Sequence, residues 1–365
     1  MSSVATALFE DLGVRNLYRT GYNRRALHSL PDLRSIDAVF DLGNITYCDT
    51  WPKPLSLRLS KAIRFRYAIP KASFISLPCS WGPFQPTHRK LLDKLTRDAM
   101  IYNRDHKSAH YVNELLGDER AIFCPDLAFM CGPQDPGIGQ NVLSQLGLSL
   151  DEPILGIIPN SRCVEEGITP LSDPAKYYSH LRRVVSWARE NCYQVVGISH
   201  MVNTDQDVKL LSDLDIPIVK SNLPTIVRSV VANLSAAVCS RYHGLINCIV
   251  HGVPTISLGW HDKYPGVMNL VEMIEFDHPV NHDEEDLVSR LEVLSVTRPA
   301  LIQRLQTNVG EVRSIIRTRM DELSTHLGGP PTVLNDLVTV DDTAIECLPE
   351  PKKRKGLRVL LRHLR

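Results

Sequence analysis

The stretch Ala236–Met268, AAVCSRYHGLINCIVHGVPTISLGWHDKYPGVM, decides the fold. Ala236–Ser240 is a short apolar run closed by a small polar residue, the pattern of a buried parallel strand. From Tyr242 the apolar positions move to helical spacing at Leu245, Ile246, Ile249 and Val250. Gly252 supplies a helix stop, Pro254 forbids continuation, and Thr255–Leu258 resumes as strand. A helix therefore begins just after Ser240-Arg241, with Tyr242 and His243 in its first turn. Free N–H groups and the positive end of the helix dipole sit there, ready for a phosphate or carboxylate. Arg241 adds a planar, permanently charged fork, and His243 a group that titrates near neutrality. The next strand ends at Gly259, and its loop carries His261, Asp262 and Lys263. In an open parallel sheet both loops lie at the carboxyl edge, where ligands bind.

SRYHGL, then GVPTIS, then a loop with HDK resembles the C-terminal signature of the polysaccharide pyruvyl transferases. That resemblance implies two Rossmann-like doubly wound α/β domains of the GT-B type. It also implies transfer of an enolpyruvyl unit from phosphoenolpyruvate to sugar hydroxyls, usually as a pyruvate ketal. The Arg-x-His pair, Arg241 and His243, would contact the donor. Further matches lie upstream: Gly43, Asn44 and Asp49 after the strand Ala38–Leu42; Gly82-Pro83-Phe84; Arg104, Asp105 and Ser108; and Asp126 with Phe129. In the family the strand opening the second domain commonly ends in an arginine that points into the cleft, and Arg162 takes that place. The family often carries a His and an Asp after the following strand, matched by His200 and Asp205. His200 either touches donor or acceptor or caps the next helix. Family members usually begin with an extra strand and an Asn-x-Gly-Asp turn. Here residues 1–35 read as a helix (Val4, Leu8, Leu12) and a polar connection, so the first domain is predicted to lack its first strand.

Composition is that of a soluble globular protein, with 43% hydrophobic and 22% charged residues over 365. A formal net charge of 0 gives no argument for nucleic acid. Nine cysteines, with no CxxC pair and several in apolar runs, read as reduced, buried thiols. No apolar run approaches the ~18 residues of a membrane span, and Glu10 and Asp11 stand where a signal peptide would be apolar. The expected location is cytoplasmic, peripheral to the inner face of a membrane.

Alternation of strand and helix predicts an N-terminal Rossmann-like domain over 1–135, on the acceptor side, and a C-terminal one over 153–327, on the donor side. Residues 136–152, rich in Gly, Pro and polar groups, read as the linker. Residues 283–325 are helical by periodicity, and 328–351 read as a flexible connection. The tail 352–365 places Leu357, Leu360, Leu361 and Leu364 on one helical face with basic residues on the others. It predicts a basic amphipathic helix with weak affinity for an anionic membrane surface.

Phosphoenolpyruvate carries a carboxylate and a phosphate close together. Its site needs several cations, donors to both anions, and an acid near the vinyl carbon. The sequence offers Arg162, Arg241, Lys263 and the helix start at Tyr242 for the anions, and His243 as proton carrier. Asn44, Asp49, Arg104, His200 and His261 are candidates for the acceptor side or the cleft. No metal and no cofactor is demanded. The expected partners are phosphoenolpyruvate and a polymeric or lipid-linked sugar acceptor, as in exopolysaccharide or cell-wall polysaccharide synthesis. Two rival readings stay open: a GT-B glycosyltransferase with a nucleotide-sugar donor, and a non-catalytic glycan- or anion-binding relative.

Overall fold

The computed structural model describes residues 8–9, 16–20, 33–42, 47–49, 54–164, 173–200, 205–261, 263–328 and 358–362. The chain divides into two units, one of Met1–Leu127, Ile315–Asp336 and Thr343–Arg365, the other of Ala128–Ser314 and Leu337–Asp342. In the first unit, β1 (Asn16–Thr20) and β2 (Ala38–Asp41) are followed by α1 (Leu55–Ala68), β3 (Ser73–Cys79), α2 (Arg89–Thr96), β4 (Ala99–Asn103), α3 (His106–Leu116) and β5 (Ala121–Phe123). The second unit runs α4 (Pro136–Gln145), β6 (Ile154–Ile158), α5 (Pro174–Glu190), β7 (Gln194–Ser199), α6 (Gln206–Ser212), β8 (Ile218–Lys220) and α7 (Pro224–Val231). It continues with β9 (Ala236–Cys239), α8 (Tyr242–Val250), β10 (Thr255–Gly259), α9 (Lys263–Leu270), β11 (Asp277–Pro279) and α10 (Glu284–His326), whose residues from Ile315 belong to the first unit. A last strand, β12 (Arg358–Arg362), returns to the first unit.

The second sheet is wholly parallel, in the order β11-β10-β9-β6-β7-β8. The chain starts in the middle at β6, builds outward to β8, then returns to β9 and builds the other way. Its switch point, where loops on either side diverge, is the gap between β6 and β9. Every residue of β6, β9 and β10 is buried, because helices cover both faces. Gly244, in the first turn of α8, permits close approach: an added Cβ would lie 3.0 Å from Cys239 Sγ and 3.1 Å from Ile158 Cγ2. The helix start is thereby pressed against the ends of β6 and β9.

The first sheet is also parallel, in the order β1-β12-β2-β3-β4-β5. Its core gathers Leu55, Leu59 and Ile63 of α1, Leu92 and Leu95 of α2, and Val112 of α3 against Phe74 and Ile101 of the strands. Phe9 meets Phe40 of β2 edge-on, with ring centroids 4.8 Å apart. The last turns of α10 join this unit through Arg319, whose Nε donates to the Phe123 carbonyl and whose own carbonyl accepts from Tyr102 Oη.

Several expectations are met. The apolar stripe of α10 (Leu287, Leu291, Leu294, Leu301, Leu305, Val312, Ile316) is buried throughout. The eight cysteines among the described residues are free thiols, and all but Cys192 are buried. No helix among the described residues is long and apolar enough to cross a membrane. Three readings are corrected. Asn16–Thr20, read as helix or connection, is a strand, so the first sheet has six strands and is not short of one at this position. Pro136–Gln145, read as linker, is a helix, because Asp135 caps it by accepting from the Gly137 N–H and because its glycines allow contact with α7. Arg358–Arg362, read as part of an amphipathic helix, is a strand between β1 and β2, pairing with both. The run Val359-Leu360-Leu361 suits an interior parallel strand as well as a helical face, and two open strand edges decide between them. The rest of the tail and most of 328–351 lie outside the described residues.

Two tests follow from these contacts. Gly139 of α4 lies against the α7 backbone, where an added Cβ would stand 2.1 Å from the Ser229 carbonyl oxygen. Gly139→Ala is expected to lower the stability of the second unit by about 1–3 kcal/mol in urea unfolding. Deleting residues 352–365 removes the strand that joins β1 to β2. Amides of Asn16–Thr20 are then expected to exchange with solvent faster by orders of magnitude, with exchange in β6–β10 unchanged.

Candidate active site at the switch point of the second sheet

The loops leaving β6, β7, β9 and β10 carry the polar groups of the second unit. After β6, Asn160 and the short turn Ser161–Val164 follow Pro159. Asn160 Nδ2 donates to the Ser240 carbonyl at 3.1 Å, tying the β6 loop to the β9 loop across the switch point. The same carbonyl accepts from Trp260 Nε1 at 3.2 Å and from Tyr264 Oη. Tyr177 of α5 completes the frame from below: its hydroxyl accepts from the Asn160 N–H at 2.9 Å and donates to Ser240 Oγ at 3.0 Å. The residue before Arg241 is thus fixed from four other segments of the chain, and the start of α8 with it.

Arg241 is the N-cap residue of α8. Its guanidinium grips Asp207, at the start of α6, by Nε and Nη2, with distances of 2.5–3.1 Å to the two carboxylate oxygens. Nε also donates to the Pro159 carbonyl at 3.2 Å. Asp207 is wholly buried and accepts in addition from the Ser161 N–H at 3.0 Å, while Arg241 keeps 17% side-chain exposure. Among the described residues Nη1 has no hydrogen-bond partner. The pair therefore locks three loops together and leaves one edge of the fork outward. His200, at the end of β7, is half-buried beside it. Burial, and next the Arg241 charge, push its imidazole down to about 4, so it is neutral at pH 7.

Tyr242 is buried and His243 half-buried in the first turn of α8, with ring centroids 5.5 Å apart. Lys263, first residue of α9, is buried to 9% exposure. Its ammonium lies 4.9 Å from the Trp260 ring centroid, 5.4 Å from Tyr264 and 5.7 Å from Tyr242, a cage that holds a cation at low hydration cost. His261 Nδ1 faces the Lys263 N–H at 3.4 Å. Arg162 is exposed on the turn after β6, its N–H donating to Asn160 Oδ1 at 3.1 Å. The carboxyl edge of β6, β7, β9 and β10 thus brings together Arg162, His200, Arg241, Tyr242, His243, His261 and Lys263. These groups can neutralise a compact anion of two charges and carry one proton, and no cluster of metal-ligating groups is found among them.

The remaining candidates belong to the first unit. Arg104, at 1% exposure, pairs with buried Asp126 at 2.9 Å and donates from Nε to Ser80 Oγ at 2.8 Å. It stitches the end of β4 to the loops after β3 and β5, rather than lining a surface. Asp105 caps α3 by accepting from the Ser108 N–H at 2.7 Å, a structural role. Asp49 accepts from the Gln85 N–H at 2.8 Å and lies 3.3 Å from His88 Nδ1, holding the loop after β3. Asn44 lies outside the described residues. Sequence reasoning missed Asp207, Tyr177, Asn160, Trp260 and Tyr264. It named Asp205 as the acid of the β7 loop, but Asp205 is exposed and pairs with Lys220 at 2.6 Å. The start of α6 was the signal for Asp207, since an acid one turn in can reach across a switch point.

A family model described as polysaccharide pyruvyl transferase matches residues 7–262, from the first described helix residues through the loop of His261. The chain belongs to the polysaccharide pyruvyl transferase family. No curated protein matches its sequence. Among solved structures, the UDP-forming α,α-trehalose-phosphate synthase of Burkholderia vietnamiensis is 10% identical, with 89% of this chain and 79% of that chain covered at a TM-score of 0.52. The trehalose-6-phosphate synthase OtsA, also 10% identical, covers 83% of this chain and 74% of its own at 0.49. The likeness is one of fold, and this member of the pyruvyl transferase family has two Rossmann-like α/β domains of the GT-B type. Its family is one of transferases that modify polysaccharides.

Buried imidazoles of the second unit set a pH dependence for the family member. His200 is held at about 4. His251, which ends α8, is also pushed down to about 4 by burial; its Nε2 accepts from the Gln134 N–H at 2.9 Å, which requires the neutral ring. Each lies below its unfolded value of about 6.5, so the unfolded chain binds more protons between those limits and stability falls as pH falls. Asp277, raised to about 6 by burial, opposes them over part of the range. Three imidazoles, since burial also pushes His278 of β11 down to about 4, against one carboxyl leave a net loss on the order of a few kcal/mol from pH 6.5 to 4. Urea midpoints measured across that range are expected to drop steadily, and His251→Gln is expected to flatten the drop.

Proposed function

We propose that this chain moves the enolpyruvyl carbons of phosphoenolpyruvate onto two hydroxyls of one sugar, giving a pyruvate ketal and inorganic phosphate. The observation that carries the reading is the placement of Arg241, His243 and Lys263 about one helix start, beside the turn that carries Arg162, in a chain of this family. Arg162, exposed on the β6 turn, and Lys263 in its aromatic cage would take the phosphate and carboxylate together with the first-turn N–H groups of α8. Arg241 would contribute its outward Nη1, while its bond to Asp207 keeps the fork from turning. In this reading Arg241 binds donor and positions the helix start, and is not a proton carrier.

His243 is the proposed acid. Its imidazolium would give a proton to the vinyl CH2, which becomes the methyl group, while C2 becomes electron-poor. A sugar hydroxyl adds to C2 and loses its proton to the imidazole, which is thereby recharged. The C2–O bond to phosphate then breaks, and a second hydroxyl of the same sugar closes the ring at C2, its proton passing to the departing phosphate. No oxidant or reductant is consumed. Beside bound anions the imidazole is favoured in its charged form at neutral pH. His200, neutral beside Arg241, would not compete for that proton and is suited to hydrogen-bonding an acceptor hydroxyl. Asn44, Asp49 and His261 remain proposed contacts on the acceptor side.

The test is incubation of the purified chain with phosphoenolpyruvate and a panel of glycans and lipid-linked sugars. Acceptor-dependent phosphate release and the mass increment of a pyruvyl ketal are expected. His243→Ala is expected to lower turnover by ~10²–10⁴ with donor affinity kept, and Lys263→Met to weaken donor binding. Transfer from a nucleotide sugar with no reaction of phosphoenolpyruvate would overturn the reading.

A further inference from the structure

A second group of imidazoles lies in the same unit, on elements the proposed reaction does not use. His278 in the middle of β11 is wholly buried. Its Nδ1 stands 3.1 Å from Asp286 Oδ2, in the first turn of α10. His282, on the four-residue connection between β11 and α10, brings its ring centroid to 5.7 Å from that of His278. One ligand atom from each of His278, His282 and Asp286 lies within 4.8 Å of the others. On the far side of His278, Nε2 stands 3.4 Å from Nε2 of His180, which projects from α5 and is also wholly buried.

We propose that His278, His282 and Asp286 bind a divalent transition-metal ion of the zinc type, joining β11 to the start of α10. The ligand set decides the metal: two imidazoles and one carboxylate suit zinc and its neighbours, whereas calcium and magnesium ask for oxygen throughout. The spacing fits as well. Two ligand atoms on a tetrahedral ion with bonds of about 2.0–2.2 Å lie about 3.3 Å apart, near the separation of His278 Nδ1 from Asp286 Oδ2. His282 is exposed, so its side chain is free of packing and can close the remaining ångström or so. The exposed side leaves a fourth position for water.

His180 gives the arrangement its orientation. A histidine that binds metal through Nδ1 must carry its proton on Nε2, and a partner for that proton fixes the tautomer. His180 Nε2 is the acceptor in line with it. The charged groups around the site are Arg290, whose Nε donates to Asp286 Oδ2 at 2.9 Å; Glu284; and Lys176, which bonds the Asn281 carbonyl and lies 3.6 Å from Asp283. Arg290 occupies one of the roughly four lone-pair sites of the carboxylate and leaves the others for an ion.

The experiment is thermal unfolding of the full, metal-stripped chain with zinc chloride added from 1 µM to 1 mM, beside a cobalt chloride titration read in visible absorption. A rise in melting temperature of about 5 °C or more at saturation, reversed by chelator, with cobalt bands of a low-symmetry nitrogen and oxygen site, is expected. His282→Ala and Asp286→Asn, both at exposed side chains, are expected to abolish the shift and the bands. His110→Ala, at an exposed imidazole beside Glu114 in the first unit, is expected to leave both intact. No shift with zinc, or a shift that survives His282→Ala and Asp286→Asn, overturns the proposal.

Discussion

One carbonyl group holds the second unit's site in shape. The Ser240 oxygen, at the turn from β9 into α8, accepts from the side chains of Asn160, Trp260 and Tyr264. These donors come from the β6 loop, the β10 loop and α9, so three segments are referenced to one atom. An N-terminal helix turn can receive an anion only if its N–H groups are aimed and dry. Ser240 supplies the aim, while Gly244 lets the helix sit hard against the sheet. Desolvation is shared among Tyr177, Trp260 and Tyr264, whose rings are buried and whose polar atoms are all satisfied within the frame.

The Arg241–Asp207 pair works within that frame. A buried carboxylate beside a guanidinium is a weak source of net stability, since both charges lose their water. Its value here is directional. Two parallel bonds allow the fork one orientation, and the additional bond from the Ser161 N–H ties the β6 turn to the same carboxylate. The charge on Arg241 is largely balanced by the buried Asp207 carboxylate. Lys263 is held by aromatic faces and Arg162 is exposed on the β6 turn.

Much of this was legible in the sequence because the signals are local. Strand, turn and helix over Ala236–Met268 follow from apolar spacing and from Gly252 and Pro254, and the clustering of Arg241, His243 and Lys263 follows from the rule that loops at one sheet edge are neighbours. What escaped depends on pairings distant along the chain. Asp207 and Arg241 are separated by 34 residues and meet only because β6 pairs with β7 on one side and β9 on the other. Tyr177 and Ser240 are 63 residues apart. Arg104 looked available for a cleft because its burial depends on Asp126, on another loop. Pro136–Gln145 read as a linker because its glycines suggest disorder, yet Gly139 is there so that two helix backbones can touch. In the tail, period 2 and period 3.6 cannot be told apart over five residues, and strand edges elsewhere in the chain made the choice.

The place of β12 orders the birth of the molecule. The second sheet is complete within one continuous run of sequence, from β6 to β11. The first sheet, though begun at Asn16, needs a strand from the opposite end of the chain to connect β1 with β2. On the ribosome, where the amino-terminal part ordinarily matures first, this protein reverses the sequence of events. Its later-made unit can close while the earlier-made one waits, with two strand edges uncovered, until Arg358–Arg362 has been made.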